Sequence, residues 1–231
     1  MRLYKFKPAG ALQHLLDITV RERLFCQEYS KLNDPFEGQF RSLVHTAGAL
    51  AGPIARPIVS PIVQPITGGS PQTRIRYRDL AELPFSETRV CSLTADVHDV
   101  RMWSLYAESH QGIAVEINFD GLDGSLHAVS YEADLPKFGS TILGGPNAID
   151  VLTKKTTHWE YEKEYRIIGD QPYFDIGGRI TKVILGIRAS ESIAWLLQKV
   201  THPSISIVKA KLDHAGVRVI TGEVVRAGES R

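Results

Sequence analysis

The pattern of hydrophobic and polar positions predicts many short strands interrupted by a few helices. Alternating positions and short, nearly continuous apolar runs are typical of half-buried and fully buried strands. The segments with these patterns, predicted as strands, are 3–6, 88–96, 113–120, 127–134, 165–169, 180–187, 204–213 and 217–225. Apolar residues at helical spacing predict helices within 9–25, 97–112 (ending near Gly112), the start of 148–159, and 190–201. The mixture predicts an α+β fold whose strands are mostly antiparallel.

A Pro-Ile pair recurs every fourth residue within 46–72, at positions 53, 57, 61 and 65. Prolines at this spacing exclude a helix or a central strand, so the segment is predicted to be an extended loop. Its function is either that of a lid or partner-binding strip, or that of an insertion tolerated in a surface loop. No long repeat or second core is evident, which predicts a single domain over 1–231 with a loop insertion at about 46–72.

The composition excludes some classes of protein but does not indicate an activity. The 231 residues carry a net charge of +1, and 43% of them are hydrophobic. Two cysteines are too few for a disulfide framework, and no apolar run approaches the roughly 20 residues of a membrane span. The start of the chain also lacks an apolar signal core. These features predict a cytoplasmic protein without a membrane partner.

Familiar catalytic and metal-binding motifs are absent from the sequence. The eight histidines form no HExxH or similar spacing, and neither GxSxG nor a Walker or Rossmann glycine pattern occurs. No metal site is therefore predicted. Cys91 lies in an apolar strand, where a cysteine is more often a small buried hydrophobe than a nucleophile.

The segment 158–169, HWEYEKEYRIIG, places Glu160, Glu162 and Glu164 at alternate positions before an apolar strand. If the strand includes them, Glu162 and Glu164 lie on one face, about 6–7 Å apart, and repel each other. One interpretation is a solvated acidic edge balanced by Lys163 and Arg166. The other is a site where a cationic substrate, or a developing positive charge, compensates for the repulsion.

Two further segments carry candidate site residues. Trp103, Tyr106 and His110 have the spacing of one helix face, for which core packing of Trp103 is the simpler interpretation. Ser92 and Thr94 follow a buried run and can place hydroxyl groups in a cleft.

Six motifs occur in the order typical of an uncharacterised bacterial family, domain of unknown function 2971, which this chain resembles over residues 3–188. The motifs are LYKF, LNDPFEG, CSLT, MWSLYAESHQGIAVEI, VSYEAD and HWEYEKEYRII. Leu105 stands where the family usually has His, and the Pro-Ile insertion is not part of the family pattern. If that His is essential in the family, the change to Leu105 affects activity.

The chain also resembles ADP-ribosyltransferases of the bacterial-toxin type in three dispersed motifs. The first strand carries Arg2, Tyr4 and Lys5; the middle strand carries Ser92 and Thr94; the late Glu-x-Glu motif is residues 162–164. This resemblance implies two small, mostly antiparallel sheets with flanking helices. It also implies NAD as substrate, with ADP-ribose passing to a nucleic-acid or protein acceptor, and a role as toxin or antiviral defence effector.

Roles for single residues follow from the second resemblance. Glu164 is expected to stabilise the positive charge that develops on the ribose, and Glu162 to orient or deprotonate the acceptor. The remaining candidates are expected to bind NAD. Tyr4, Trp103 or Tyr106 would stack on nicotinamide, Arg2 or Lys5 would bind the pyrophosphate, and Ser92 would line the site.

Two alternatives remain open at this stage. A non-enzymatic nucleotide- or nucleic-acid-binding module of a defence system would use the basic strip Arg74, Arg76 and Arg78. A metal-dependent nuclease or hydrolase would need its carboxylates to converge. The carboxylates available for that purpose are Asp34, Glu37, Glu162 and Glu164, of which Asp34 is also explained by an Asx turn.

Overall fold

The computed structural model describes residues 1–32, 34, 39–44, 76–82, 87–139, 146–216 and 218–228. The chain divides into two compact units. The first unit comprises 1–27, 89–128 and 161–231, and the second comprises 28–88 and 129–160. The Pro-Ile segment 46–72 and its proposed roles lie outside the described residues, and the expectation of a single domain stays a prediction.

Each segment predicted as a strand or helix contains the expected element, but several other strands lie outside the segments predicted as strands. The strands are β1 Arg2–Lys7, β2 Arg23–Phe25, β3 Gln27–Glu28, β4 Gln39–Val44, β5 Arg76–Glu82, β6 Arg89–Thr94, β7 Ile113–Asn118, β8 His127–Ala128, β9 Ser130–Glu132, β10 Lys137–Gly139, β11 Lys154–Thr156, β12 Glu164–Gly169, β13 Tyr173–Asp175, β14 Ile180–Leu185, β15 Ser206–Leu212 and β16 Val219–Arg226. The α-helices are α1 Leu12–Thr19, α2 Val100–Tyr106, α3 Ala148–Leu152 and α4 Glu191–Val200. The α+β class is therefore confirmed.

One large, mostly antiparallel sheet dominates the first unit. Eight of its nine strands follow the order β16-β15-β14-β7-β1-β6-β12-β8, in which β14 and β15 are parallel, and β3 pairs with β6 outside this order. The expectation of two small sheets is wrong. The reason is β1, which pairs antiparallel with β7 along its whole length and with β6 where Tyr4 lies opposite Thr94. β1 thereby joins the strands on its two sides into one sheet.

Helices cover both faces of the large sheet. On one face, here called the α1–α4 face, Leu15 and Ile18 of α1 and Leu197 of α4 share a core with sheet residues such as Leu3. On the other, the α2 face, α2 packs against the sheet in a second core. That core includes Met102, Trp103, Phe6, Ala114 and Ile184. Successive side chains of a strand point to opposite faces of the sheet. The position of a polar residue in its strand therefore shows on which face of the sheet it lies.

Helix α2 ends earlier than its sequence pattern predicts. Ala107 follows the last helical residue, and the next three residues, Glu108, Ser109 and His110, all have positive φ. Gly112 is therefore not the helix cap. A Cβ atom at Gly112 would collide with the carbonyl oxygen of Lys7, so glycine is required there by the close approach of two backbones.

The second unit contains smaller sheets. β4 pairs with β5 and with β10 in one three-stranded sheet, and β9 pairs with β11.

Helix α3 begins with a capping box in which the Asn147 side chain accepts from the backbone N–H of Asp150 and the Asp150 carboxylate accepts from the backbone N–H of Asn147. The predicted strand 127–134 is two short strands, and they belong to different sheets.

Asp17 is a buried charge in α1 whose loss is expected to weaken the fold. It is 2% exposed and accepts from Arg23, at 2.8 Å and 3.0 Å, and from Arg21, at 3.0 Å. Burial alone would raise the pKa of Asp17, but the hydrogen bonds from Arg23 and Arg21 outweigh it and hold the pKa below its usual value. We expect Asp17→Asn to lower the free energy of unfolding at pH 7 by about 2 kcal/mol, since hydrogen bonds to charged groups contribute on that order.

The pH dependence of this effect follows from the depressed pKa. The stabilisation is complete above the unfolded-state pKa of about 4 and is lost as the pH falls through the lower folded-state value. Urea unfolding of the wild type and Asp17→Asn at pH 7 and pH 3 should therefore show a difference that shrinks in acid. The exposed Asp134→Asn variant is the control, and a difference independent of pH would contradict the assignment.

Candidate functional site

A row of polar side chains crosses the α2 face of the large sheet. Directly opposed residues of antiparallel strands lie on the same face, and the strand registers align five such residues on neighbouring strands. This polar row consists of Lys182, Glu116, Tyr4, Thr94 and Glu164. It links the first strand of the chain to β12, which begins at the last residue of the Glu-x-Glu motif.

Glu116 and Tyr4 form the first half of the polar row. The Tyr4 hydroxyl donates to Glu116 at 3.1 Å, Thr181 donates to the same carboxylate at 2.6 Å, and the Lys182 ammonium lies 3.6 Å away. Burial and the neighbouring Glu116 raise the pKa of Tyr4 to about 12. Burial would also raise the pKa of Glu116, but the bond from Thr181, the charge of Lys182 and the bond from Tyr4 hold it below its usual value. At neutral pH this is an ionised carboxylate with a neutral tyrosine donor.

The second half of the polar row meets a sharp turn at residues 162–164, here called the Glu-Lys-Glu turn. A 3-10 helix ends at Glu162, β12 begins at Glu164, and Lys163 between them has φ of 43°. The prediction that both glutamates lie along one strand is therefore wrong. A non-glycine residue at positive φ costs energy and persists only where the surroundings fix it.

Hydrogen bonds from the end of β6 fix the Glu-Lys-Glu turn. The Thr94 hydroxyl donates to the Glu162 carbonyl at 2.5 Å, and the Ala95 N–H donates to the Lys163 carbonyl at 3.1 Å. The Lys163 ammonium donates to Asp96 at 2.8 Å. Burial would raise the pKa of Asp96, but the bonds from Lys163 and from a backbone N–H outweigh it, so Asp96 is held ionised.

Each glutamate of the turn accepts hydrogen bonds from a described side chain. Glu164 is 4% exposed, and its two carboxylate oxygens accept from Nε and Nη2 of Arg166 at 2.8 Å and 3.0 Å. Arg166 is 1% exposed, so this is a bidentate ion pair inside the protein. Glu162 is also 4% exposed, and one of its carboxylate oxygens accepts from the Tyr106 hydroxyl at 2.5 Å. Neither glutamate belongs to a solvated acidic edge.

Most of the predicted site residues lie on the α2 face. Arg2 is exposed on β1, two residues before Tyr4, and Ser92 is the registered partner of Arg166. Tyr106, at the end of α2, reaches Glu162. Trp103 is on this side too, but its ring is fully buried and its indole N–H donates to the Val97 carbonyl at 2.7 Å, as expected of a core residue.

Lys5 lies on the opposite face from the other candidates. It alternates with Tyr4 along β1, and its ammonium donates to the Ser92 carbonyl at 2.7 Å. His110 lies beyond the end of α2, where its ring stacks parallel to that of Trp103 at 6.2 Å between centroids. The structure therefore brings together Arg2, Tyr4, Ser92, Tyr106 and the Glu-Lys-Glu turn on one face, without Lys5.

Sequence reasoning missed Glu116, Thr181 and Lys182. The available signal was a single carboxylate inside the otherwise apolar run Ile113–Asn118, whose first five residues are all buried. A charge in such a run demands partners. The sequence-based interpretation treats Arg166 only as a surface counter-charge, although its position two residues after Glu164 places both on the same face of β12.

The remaining candidates give no second site on the described part of the chain. Among described residues, no three His, Cys, Asp or Glu side chains converge as a metal site would require. Glu37 and Arg74 lie outside the described residues, and Cys91 is fully buried. A concavity of about 590 Å³ opens on the α1–α4 side, away from the polar row. It is lined by Thr19, Val20, Glu22, Gly178, Val200 and His202.

Comparisons with known proteins give no information on the function of this site. The chain matches no protein-family model, no curated protein and no solved structure. The two resemblances drawn from sequence motifs therefore stay predictions. Within the described residues, no helix is both long and apolar enough to cross a membrane.

Proposed function

We propose that this protein cleaves the nicotinamide–ribose bond of NAD and transfers ADP-ribose to a macromolecular acceptor. The supporting observation is the adjacency of the strands that carry the three motifs. β1, β6 and β12 are neighbours in the large sheet, and Thr94 of the middle strand is the registered partner of both Tyr4 and Glu164. The proposal includes a likeness to the ADP-ribosyltransferase fold. The two small sheets that this resemblance implies would here be joined into one sheet by β1.

The reaction makes positive charge on the ribose as nicotinamide leaves. A carboxylate held in place beside the ribose stabilises this oxocarbenium-like state, because fixed charges need no reorganisation during the reaction. The Glu-Lys-Glu turn supplies two such carboxylates on a backbone fixed by Thr94 and Asp96.

We assign the charge-stabilising role to Glu162 and not to Glu164. Both oxygens of Glu164 accept from the Arg166 guanidinium, whose positive charge reduces the field available to a substrate. The Tyr106 hydroxyl donates to Glu162 at 2.5 Å and orients its carboxylate. Glu164 and Arg166 then form the buried support that holds the start of β12 in position.

The rim of the α2 face has groups suited to the rest of NAD. Tyr4 and Tyr106 are half-buried, so each presents part of an aromatic ring on which nicotinamide or adenine can stack. Arg2 is exposed beside Tyr4 and can bind the pyrophosphate. In this proposal the acceptor is a protein or a nucleic acid, as expected of a toxin or defence effector.

The test is incubation of the purified protein with NAD, alone and with candidate protein and nucleic-acid acceptors, followed by chromatographic detection of nicotinamide. We expect release by the wild type. Tyr106→Phe should release nicotinamide about tenfold more slowly, since losing one hydrogen bond to a charged group costs about 1.5 kcal/mol. The exposed Glu160→Gln variant, from the same 3-10 helix, should match the wild type.

Two results would overturn the proposal. One is the absence of release above the protein-free rate with every acceptor. The other is equal release by the wild type and Tyr106→Phe. NAD binding detected by a thermal shift, without any release, would instead favour the non-enzymatic nucleotide-binding module.

A further inference from the structure

The outward face of helix α4 carries an exposed tryptophan between two opposite charges. The inward side chains of α4, among them Ile193 and Leu197, pack into the core beneath the helix. The exposed residues Glu191, Trp195 and Lys199, here called the α4 stripe, are spaced four apart and so share one helix face. Trp195 is 61% exposed. Tryptophan is enriched at the centres of protein interfaces, where its burial contributes much of the binding energy.

The surface beside the α4 stripe is partly apolar as well. Helix α1 packs against α4, and Val20, which directly follows α1, is 49% exposed. Val20 and Val200 both line the concavity of about 590 Å³, so the ends of the two helices do not fill the space between them. The α4 stripe therefore borders on apolar surface that has room for a partner.

The charges of the α4 stripe make it complementary to a second copy of itself. Glu191 lies four residues before Trp195 and Lys199 lies four residues after it, which is about 6 Å along the helix in each direction. Within the described part of the chain, neither charged side chain takes part in an ion pair. Two such helices packed antiparallel about Trp195 bring opposite charges together at both ends, whereas parallel packing brings like charges together.

We propose that the α4 stripe is the interface of a twofold-symmetric homodimer in which the two α4 helices pack antiparallel. Trp195 meets the partner's Trp195 at the twofold axis, and Glu191 pairs with the partner's Lys199 on either side of it. The same surface is used by both copies, so the contact closes at two subunits. One helix from each copy makes a small interface, so the dimer should dissociate on dilution. This inference is independent of the proposed function.

A lipid surface fits the α4 stripe less well than a second copy does. Helices that lie on membranes separate an apolar face from a charged one. Here Glu191 and Lys199 flank Trp195 on the same face, so insertion of the ring would also carry a carboxylate towards the lipid.

The first test is sedimentation equilibrium of the purified full-length protein over a wide range of concentrations. We expect a monomer–dimer equilibrium for the wild type. Trp195→Ala should raise the dissociation constant by at least about 30-fold, the scale of an interface hot spot. Glu191→Lys and Lys199→Glu should each raise it about tenfold or more, since each places like charges against each other.

The double variant Glu191→Lys with Lys199→Glu is the decisive member of this series. It should recover most of the wild-type affinity, because the two ion pairs re-form with their signs exchanged. Both changes oppose the helix dipole, so recovery in the double variant does not come from a more stable helix. Lys211→Glu, which reverses an exposed charge on β15, is the control and should dimerise as the wild type does.

The second test is cross-linking of the wild type with a carbodiimide, which joins a carboxylate directly to an ammonium group and takes up the water that is lost. Within one copy, Glu191 and Lys199 are eight residues apart, about 12 Å along the helix, too far for a direct amide bond. A peptide in which Glu191 is linked to Lys199 therefore arises only between copies, and we expect it in the cross-linked dimer.

Four results would overturn the inference. The first is a wild type that stays monomeric at every concentration. The second is a dimer that Trp195→Ala leaves unchanged. The third is a double charge reversal that dimerises no better than either single one. The fourth is a monomeric wild type that binds anionic lipid vesicles and loses this binding in Trp195→Ala, which would assign the α4 stripe to a membrane surface.

Discussion

Glu164→Gln is expected to lower the free energy of unfolding by about 3–5 kcal/mol, the usual cost of removing one partner from a buried ion pair. The Arg166 guanidinium would keep its charge at 1% exposure while losing the carboxylate that accepts two of its hydrogen bonds. Urea unfolding at pH 7 measures the change. Any loss of activity in this variant would therefore report on folding first.

Matched variants separate the ion pair from general sensitivity of the segment. Glu160→Gln, an exposed change in the preceding 3-10 helix, should alter stability by less than about 0.5 kcal/mol. The double variant Glu164→Gln with Arg166→Met should be less destabilised than Glu164→Gln alone, because no guanidinium remains without its carboxylate. A single variant as stable as the wild type would show that the pair contributes little.

Glu162→Gln is expected to reduce nicotinamide release from NAD by about 100-fold or more, the scale on which one preorganised electrostatic group contributes to catalysis. Glutamine keeps an oxygen that can accept from the Tyr106 hydroxyl, so the local geometry should persist while the negative charge is lost. Initial rates at saturating NAD, together with the melting temperature of each variant, measure the effect.

The combination of results decides between the two glutamates. Loss of release in Glu162→Gln with an unchanged melting temperature supports the catalytic assignment. A folded Glu162→Gln that keeps wild-type rates removes it, whatever Glu164→Gln does. Glu160→Gln again serves as the neutral control, because it makes the same chemical change two residues earlier on an exposed position.

Local patterns predicted the elements well where one face of the element is buried. The apolar runs at 165–169 and 180–187 correspond to β12 and β14, and the segment at 190–201 contains α4. The same patterns failed at element ends. The helical spacing up to His110 does not continue the helix, because positive φ values begin at Glu108. The alternating pattern of residues 162–164 likewise does not correspond to a continuous strand. Lys163 has positive φ, and a periodic pattern cannot reveal a single residue in the left-handed region.

Sequence alone determined the α+β class, the order of the main strands along the chain, and part of the polar row, namely Tyr4, Thr94 and Glu164. These follow from periodicity, which reports how each segment divides between core and solvent. Only the tertiary structure decided that β1 joins both halves into one sheet, that Arg166 neutralises Glu164, and that Glu116 belongs to the polar row. Strand pairing and burial bring together residues far apart in sequence, and no local pattern encodes which partners will meet.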